Sequence, residues 1–249
     1  MQLKTPSLYV SIPGHNYAYL YIRKNACSNF KTMIVHTSDF AKQSSDNALT
    51  FMNRYHRLPE TKHLRHRRIF CVVRDPLTRI HSAFLNRVIQ RRDHHLYSAI
   101  KNASGREVDA LTAGDIFEWV LADDRLDLHF LPQFRHMTGV PHELWPIERL
   151  RDCAAFAWGD EIANTYFGHH HNSGTRQIAK VSGKYQGLRV SDLSHMERTG
   201  EFPDLASLVT AEMYKRLQRM YAEDFSLHHA ALGHSTLSPH LSALGKLST

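Results

Sequence analysis

Two short runs of strand-forming residues open the chain, SLYVSI and YAYLYI, on either side of Pro13, Gly14, His15 and Asn16. Turn residues between two such runs predict a hairpin. From Asn29 to Ser38 the period changes, and Phe30, Met33 and Ile34 share one face of a helix. Residues 41–68 are polar and basic and read as loop or short helices. The run RRIFCVV, ending at Val73, is apolar in the manner of a buried strand. Pro76 then opens a helix, since its missing N–H has no partner in a first turn. That helix is expected to run to about Arg91, with Leu77, Ile80, Phe84 and Val88 inward and Arg79, Ser82 and Asn86 on another face. Residues 101–113 read as loop, 114–123 as helix, and ELWPIERLRDCAAF as a short strand and a helix. Residues 168–200, rich in Gly, Ser, His and Asn, read as a mobile loop, and Leu205 to Phe225 as one periodic helix. Strands alternating with helices predict an α/β fold, a parallel sheet flanked by helices. With no repeat or linker, the 249 residues are expected to form a single domain, 1–249.

Charge is the main thing composition adds. A formal charge of +7, with nineteen histidines, points to an anionic ligand: nucleotide, nucleic acid or acidic glycan. The three cysteines, Cys27, Cys71 and Cys153, are odd in number and lack CxxC spacing, which fits a reducing compartment. Residues 1–15 hold no signal-peptide core, and no run of about 18 apolar residues is present to span a membrane. The expectation is a soluble, cytoplasmic protein with no integral membrane segment.

The segment YLYIRKNACSNFK, residues 19–31, carries the first candidate chemistry. A strand stops at Arg23 and Lys24, a small-residue turn follows, and a helix begins. Such a turn gathers unpaired backbone N–H groups and the positive end of a helix dipole around one point. Ser28 is placed to cap the helix, and Lys24 adds a full charge. On this segment alone an ordinary capped helix with two surface cations is the slightly better account, and the G-x-x-x-x-G-K-[ST] pattern of a Walker A loop is absent. The segment CVVRDPLTRIHSAFLNRV repeats the arrangement of strand, turn and helix. There Arg74 can grip a phosphate bidentately and Ser82 can add a hydroxyl; a plain Arg74–Asp75 pair is the alternative. Two anion-ready turns about fifty residues apart favour the ligand.

The residues IRKNACSNFK resemble the 5′-phosphosulfate loop of the Golgi-type carbohydrate sulfotransferases (family 2), usually I-P-K-x-x-C-[ST]-N-W-K. CVVRDPLTRIHSAFLNR resembles their 3′-phosphate motif, DLHFLPQFR (127–135) their H-W-x-P-Q segment, and HHHNSG (169–174) their H-x-N-x-S. The four blocks keep the family's order over residues 8 to about 175. Arg23 stands where the family has Pro, and Phe30 where it has Trp. The animal enzymes' membrane anchor is not seen, so a soluble bacterial relative is the expectation. The resemblance implies a P-loop-like sulfotransferase fold. It also implies sulfuryl transfer from 3′-phosphoadenosine 5′-phosphosulfate (PAPS) to a carbohydrate hydroxyl by in-line displacement, with no metal. It implies that Lys24 stabilises the leaving phosphate and that Arg23, Lys24, Asn25, Ala26, Cys27, Ser28 and Asn29 hold the 5′-phosphate. It gives Arg74 and Ser82 the 3′-phosphate, and His129 and Gln133 the acceptor. His56, between the two donor motifs, is the preferred general base, with His129 the other candidate.

Other features have plainer readings. Adjacent His169, His170 and His171 cannot easily turn to one metal ion. The basic run HLRHRRIF (63–70) lacks the interleaved aromatics of a nucleic-acid surface, so no nucleic-acid partner is expected. Cys27 sits where thiol pKa values fall, but the family pattern makes it a loop-packing residue. A nucleoside-triphosphate phosphotransferase and a non-catalytic binding module for nucleotides or acidic glycans remain as alternatives. The acceptor is expected to meet the loops 41–62, 92–113 and 175–200. The sequence leaves the oligomeric state open.

Overall fold

The computed structural model describes residues 7–41, 46–59, 61–122, 127–168 and 178–233. In chain order the main elements are β1 (Tyr9–Ser11), β2 (Tyr17–Leu20), α1 (Cys27–Thr37), α2 (Ala48–Tyr55), β3 (Arg57–Leu58), β4 (Arg68–Val73) and α3 (Pro76–Ala83). A π-helical stretch (Phe84–Gln90) continues α3, followed by α4 (His94–Ser104), α5 (Ala113–Ala122), β5 (Glu143–Pro146), α6 (Leu150–Trp158) and α7 (Asp160–Phe167). The chain ends with β6 (Ala179–Val181), α8 (Val190–Thr199), β7 (Glu201–Pro203), α9 (Leu205–Leu208), α10 (Ala211–Met220) and α11 (Ala222–Gly233). These elements gather into two compact units, one drawn from 1–74, 133–173 and 223–249, the other from 75–132 and 174–222.

The first unit is built on a five-stranded sheet of order β3-β1-β2-β4-β5. The β1–β2 hairpin forms where Pro13 to Asn16 predict it, and it makes part of the sheet antiparallel. β3 also runs antiparallel to β1, while β2, β4 and β5 are parallel neighbours. The expected parallel sheet is therefore a mixed one, because a four-residue turn can only return the chain antiparallel. Alternation along the strands sorts two cores. Val10, Tyr17, Tyr19, Phe70, Val72 and Trp145 pack with Phe30 and Met33 of α1, Met52 of α2 and Trp158 and Phe167 from α6 and α7. Tyr9, Ala18, Leu20, Cys71 and Val73 face Leu227 and Ala231 of α11. Phe30 stacks on Tyr19 with centroids 4.1 Å apart, and Phe70 on Trp145 at the same distance. Each such buried side chain contributes about 1.5–3 kcal/mol, and a one-residue slip would exchange the two faces. Register is thereby fixed, and with it the place where each strand delivers its loop.

The second unit is mainly helical. Asp75 caps α3 by accepting from the Thr78 N–H, and Pro76 takes the first helical position. Leu77, Ile80, Phe84 and Val88 are buried, as their spacing requires, and Phe84 meets Phe117 of α5 at 5.0 Å. Arg79 departs from expectation: it is wholly buried rather than set on the Ser82 face. Residues expected as loop at 101–104 complete α4, which Gly105 ends in a left-handed conformation, φ 69°. The expected loop 168–200 contains β6, paired in parallel with β7, and α8; residues 169–177, including the HHHNSG block up to Gly174, lie outside the described residues. The periodic stretch 205–225 is three helices. Val209 is extended, and the Thr210 side chain caps α10 by accepting from the Met213 N–H at 3.2 Å.

Candidate active site

The β2–α1 connection is bent sharply. Lys24 and Ala26 both take left-handed backbone conformations, φ 70° and φ 56°. A non-glycine residue in that region costs of order 1–3 kcal/mol, and such residues cluster at ligand clamps. The bend ends at Cys27, where α1 begins; the Asn29 N–H donates to the Ala26 carbonyl at 3.0 Å, while the Cys27 and Ser28 N–H groups come too early in the helix for an intrahelical acceptor. Ala26 rather than Ser28 is the N-cap, and no side chain closes it. Ser28 lies one residue inside the helix and is exposed. Three other side chains of this loop turn inward. Cys27 Sγ donates to the Ile22 carbonyl at 2.9 Å, Asn29 Nδ2 to the Tyr166 carbonyl at 2.6 Å, and Asn25 is wholly buried. Of the side chains at Asn25, Cys27, Ser28 and Asn29, which the resemblance assigns to the 5′-phosphate, only that of Ser28 is exposed and not engaged in these inward contacts.

The carboxyl end of β4 lies beside this loop, because β2 and β4 are parallel neighbours. The strand that follows β2 pairs on the β1 side and the strand that follows β4 on the other. Chain paths that diverge in this way open a crevice at the strand ends, the usual ligand position in open α/β sheets. Arg74 stands there, and its Nη1 donates to the Lys24 carbonyl at 3.2 Å. Gln133 joins the two connections. Its Oε1 accepts from Asn25 Nδ2 at 2.6 Å and from the Arg74 N–H at 3.1 Å, and its Nε2 donates to the Arg74 carbonyl at 2.9 Å. Asn25 Nδ2 also reaches the Val72 carbonyl at 2.6 Å. The buried Asp224 carboxylate accepts from the backbone N–H groups of Gln133 and Phe134 at 2.7 and 2.9 Å. Gln133, expected at the acceptor, is wholly buried with both amide atoms engaged inside the protein. It is a buckle between loops.

In the second unit the DLHFLP segment, residues 127–132, is held by two side chains. Arg79 Nη1 donates to the Leu131 carbonyl at 2.9 Å, and the Tyr221 hydroxyl donates to the Phe130 carbonyl. Asp127 Oδ1 accepts from His129 Nδ1 at 2.5 Å and from the His129 N–H at 2.8 Å. Burial pushes the Asp127 carboxyl up, but the His129 hydrogen bonds and the Arg87 charge outweigh it, leaving the group below its usual range. Arg87 is itself paired with Asp93. Ser82 lies half-buried on α3. Sequence reasoning missed Asp127, although D-x-H within the quoted block was the available signal. It also missed Asp224, 91 residues from its partner, for which no local signal exists.

His56 is elsewhere. Its carbonyl accepts from the Ser11 N–H at 2.8 Å, and Ser11 pairs with Ala18 at the start of β2. From Ala18 to Ile22 the chain runs roughly 13 Å at about 3.3 Å per residue before the Lys24 bend begins. The ring is buried between Ser38 Oγ, 2.8 Å from Nε2, and Ser11 Oγ, 3.2 Å from Nδ1, and burial lowers its pKa. The fold sets His56 and Lys24 at opposite ends of the sheet and does not bring the preferred base to the anion loop.

A family model described as the sulfotransferase family matches residues 8–137, just over half of the 249. The chain belongs to the sulfotransferase family. No curated protein and no solved structure matches it significantly. Sulfuryl transfer is thus the reaction class, and the matched stretch holds every expected site residue from Arg23 to Gln133. The mixed α/β sheet flanked by helices agrees with a sulfotransferase fold. Among the described residues of this sulfotransferase no helix is long and apolar enough to cross a membrane, and no group of three or more His, Cys, Asp or Glu is placed to hold a metal.

Proposed function

We propose that this sulfotransferase moves the sulfuryl group of PAPS to a hydroxyl of a carbohydrate, as one sulfotransferase domain spanning both units. The observation that carries the reading is the β2–α1 bend. Two strained residues, an uncapped helix start and Lys24 lie at the carboxyl end of a strand whose parallel neighbour ends in Arg74. Such backbone alternation presents N–H groups to an anion, and the strain is explained if a ligand uses it. This donor set fits a phosphosulfate: cations and N–H groups, with no carboxylate among the loop residues 23–29. When bound, PAPS supplies the activated sulfuryl group.

The residue roles follow from chemistry. The N–H groups opening α1 and the Ser28 hydroxyl hold the 5′-phosphate, with Arg23 adding charge at the rim. Lys24 stabilises the negative charge that grows on the leaving phosphate oxygen, an interaction strongest in the transition state. Arg74 and Ser82 recognise the 3′-phosphate, a role that rests on the family motif. For the base the geometry favours His129 over His56. Asp127 fixes the His129 tautomer with its proton on Nδ1, which puts the lone pair on Nε2.

Thermal shift tests the donor assignment. Adenosine 3′,5′-bisphosphate is expected to raise Tm well beyond ADP, or ATP with Mg²⁺, at equal concentration. Equal or greater stabilisation by ATP with Mg²⁺ would instead favour a phosphotransferase. Transfer of label from PAPS to a panel of sugars then identifies the acceptor.

A further inference from the structure

The first unit carries a second polar cavity, of about 500 Å³, at the hairpin-turn end of its sheet. It lies at the opposite end from the Lys24 bend, by the register that places His56 level with Ser11. We infer that this cavity is a binding site for a single acidic sugar unit, a uronic-acid-type saccharide carrying one negative charge. The site stands independently of the donor assignment.

Five groups define what would fit. Arg67 lines the cavity half-buried, and its side chain has no hydrogen bond or ion pair among the described residues. A partly desolvated guanidinium calls for an anion, and its planar fork matches a carboxylate. Phe40 is 42% exposed. One face is covered by Tyr55, stacked at 5.0 Å with planes 13° apart, so the ring is rigid and offers its other face. The C–H face of a pyranose packs on such a surface. Asp39, exposed in the same lining, accepts from sugar hydroxyls. Asn16 has its Nδ2 committed to the His66 carbonyl at 2.6 Å, which leaves Oδ1 as a further acceptor. His56, locked between two serines, forms a rigid edge.

The combination selects among anions. One cation and one carboxylate share the lining, so a dianionic phosphate would meet Asp39 at a cost, while a monoanion rich in hydroxyls satisfies both. A nucleobase gains most between two apolar faces; here one face of Phe40 is available.

Saturation-transfer NMR on the full chain tests this, with glucuronate, neutral glucose and AMP as probes, with and without saturating adenosine 3′,5′-bisphosphate. Expected are millimolar binding of glucuronate, shifts of the Phe40 and His56 side-chain signals, and no competition by the bisphosphate. Arg67→Gln should weaken glucuronate about tenfold, the worth of one charge-assisted hydrogen bond, and leave glucose unchanged. Phe40→Ala should weaken both sugars. Both positions are solvent-accessible, so the variants should keep the wild-type Tm. The inference is overturned if glucuronate gives no transfer, if Arg67→Gln binds it as well as wild type, if the bisphosphate displaces it, or if AMP binds more tightly.

Discussion

Replacing Gln133 tests whether the two candidate ligand loops are held by one buried amide. Gln133→Ala removes three good hydrogen bonds, to Asn25 Nδ2, the Arg74 N–H and the Arg74 carbonyl. Asn25 is wholly buried and already has an unsatisfied Oδ1, so its orphaned N–H bears the full desolvation cost. Arg74 is half-buried, and water can partly rescue its backbone groups. At about 1–3 kcal/mol for each fully buried orphan, and less for the two at Arg74, the loss is about 2–5 kcal/mol. That is a large part of the ~5–15 kcal/mol that stabilises an ordinary domain. Denaturant titration followed by tryptophan fluorescence suits the measurement, since Trp145 and Trp158 sit in the core of this unit.

Gln133→Glu separates a hydrogen-bonding role from mere volume. The carboxylate keeps the size and the acceptor but cannot donate to the Arg74 carbonyl, and it approaches Asp224, whose Oδ2 lies 3.4 Å from the native Nε2. Burial and like charge both raise the pKa of the introduced carboxyl in the folded state. A raised carboxyl pKa gives stability that is present below the unfolded value of about 4.3 and lost as pH rises toward the folded value. Relative to wild type, Gln133→Glu should therefore be least damaging near pH 4 and worsen by up to ~1.4 kcal/mol per pH unit above it. A Gln133→Ala variant within about 1 kcal/mol of wild type, together with a pH-independent Gln133→Glu penalty, would refute the buckle.

Four further outcomes are expected. Lys24→Ala should lower turnover by orders of magnitude with a smaller loss of donor binding; turnover within about threefold of wild type would remove its catalytic role. Arg74→Ala should weaken adenosine 3′,5′-bisphosphate by about 1.5–3 kcal/mol and 5′-AMP hardly at all, and calorimetry showing equal losses would end the 3′-phosphate assignment. His129→Ala should abolish the acidic limb of the pH–rate profile and cut kcat by about 10²–10⁴-fold, whereas His56→Ala should leave the limb intact; the reverse result would return the base role to His56. His142, wholly interior beside the Tyr9 hydroxyl, is pushed down to about 4 by burial. The fold favours its neutral form, so stability should be complete above about pH 6.5 and fall by up to about 3.4 kcal/mol toward pH 4, with His56 acting in the same direction; an NMR titration of His142 near pH 6 would contradict this.

The sequence made the two strand–turn–helix connections readable because each is local. Apolar runs end at Lys24 and Arg74, and small residues or Pro76 start the helices that follow. What it hid depends on register and long-range pairing. Asn25 looks like a loop polar residue until β4 is placed beside β2, when its amide proves to be the link to Val72 and Gln133. His56 lies between the two motifs in sequence, but the antiparallel return of β1 and β3 carries it to the far end of the sheet. Arg79 shares helical spacing with polar Ser82 and Asn86, yet the carbonyls of the 127–132 segment draw it inward. Pattern alone assigns faces by polarity, and a buried arginine with carbonyl partners defeats that rule.

The identity of the buckle has a physical reason of its own. The proposed donor is multiply charged, so that reading needs the crevice to stay positive; its cations, Lys24 and Arg74, already approach each other through the bond from Arg74 to the Lys24 carbonyl. A carboxylate joining the loops at that point would cancel part of the field, and a third cation would repel the first two. Neutral amides do neither. Asn25 donates to the Val72 carbonyl and to Gln133, and Gln133 both accepts from and donates to the Arg74 backbone, so the pair fixes backbone groups of either polarity without adding charge. The Asp224 carboxylate accepts from the Gln133 and Phe134 backbone N–H groups. The Gln133 that looks like acceptor recognition in the sequence is better explained as the support that joins the two loops the proposed function gives to the donor.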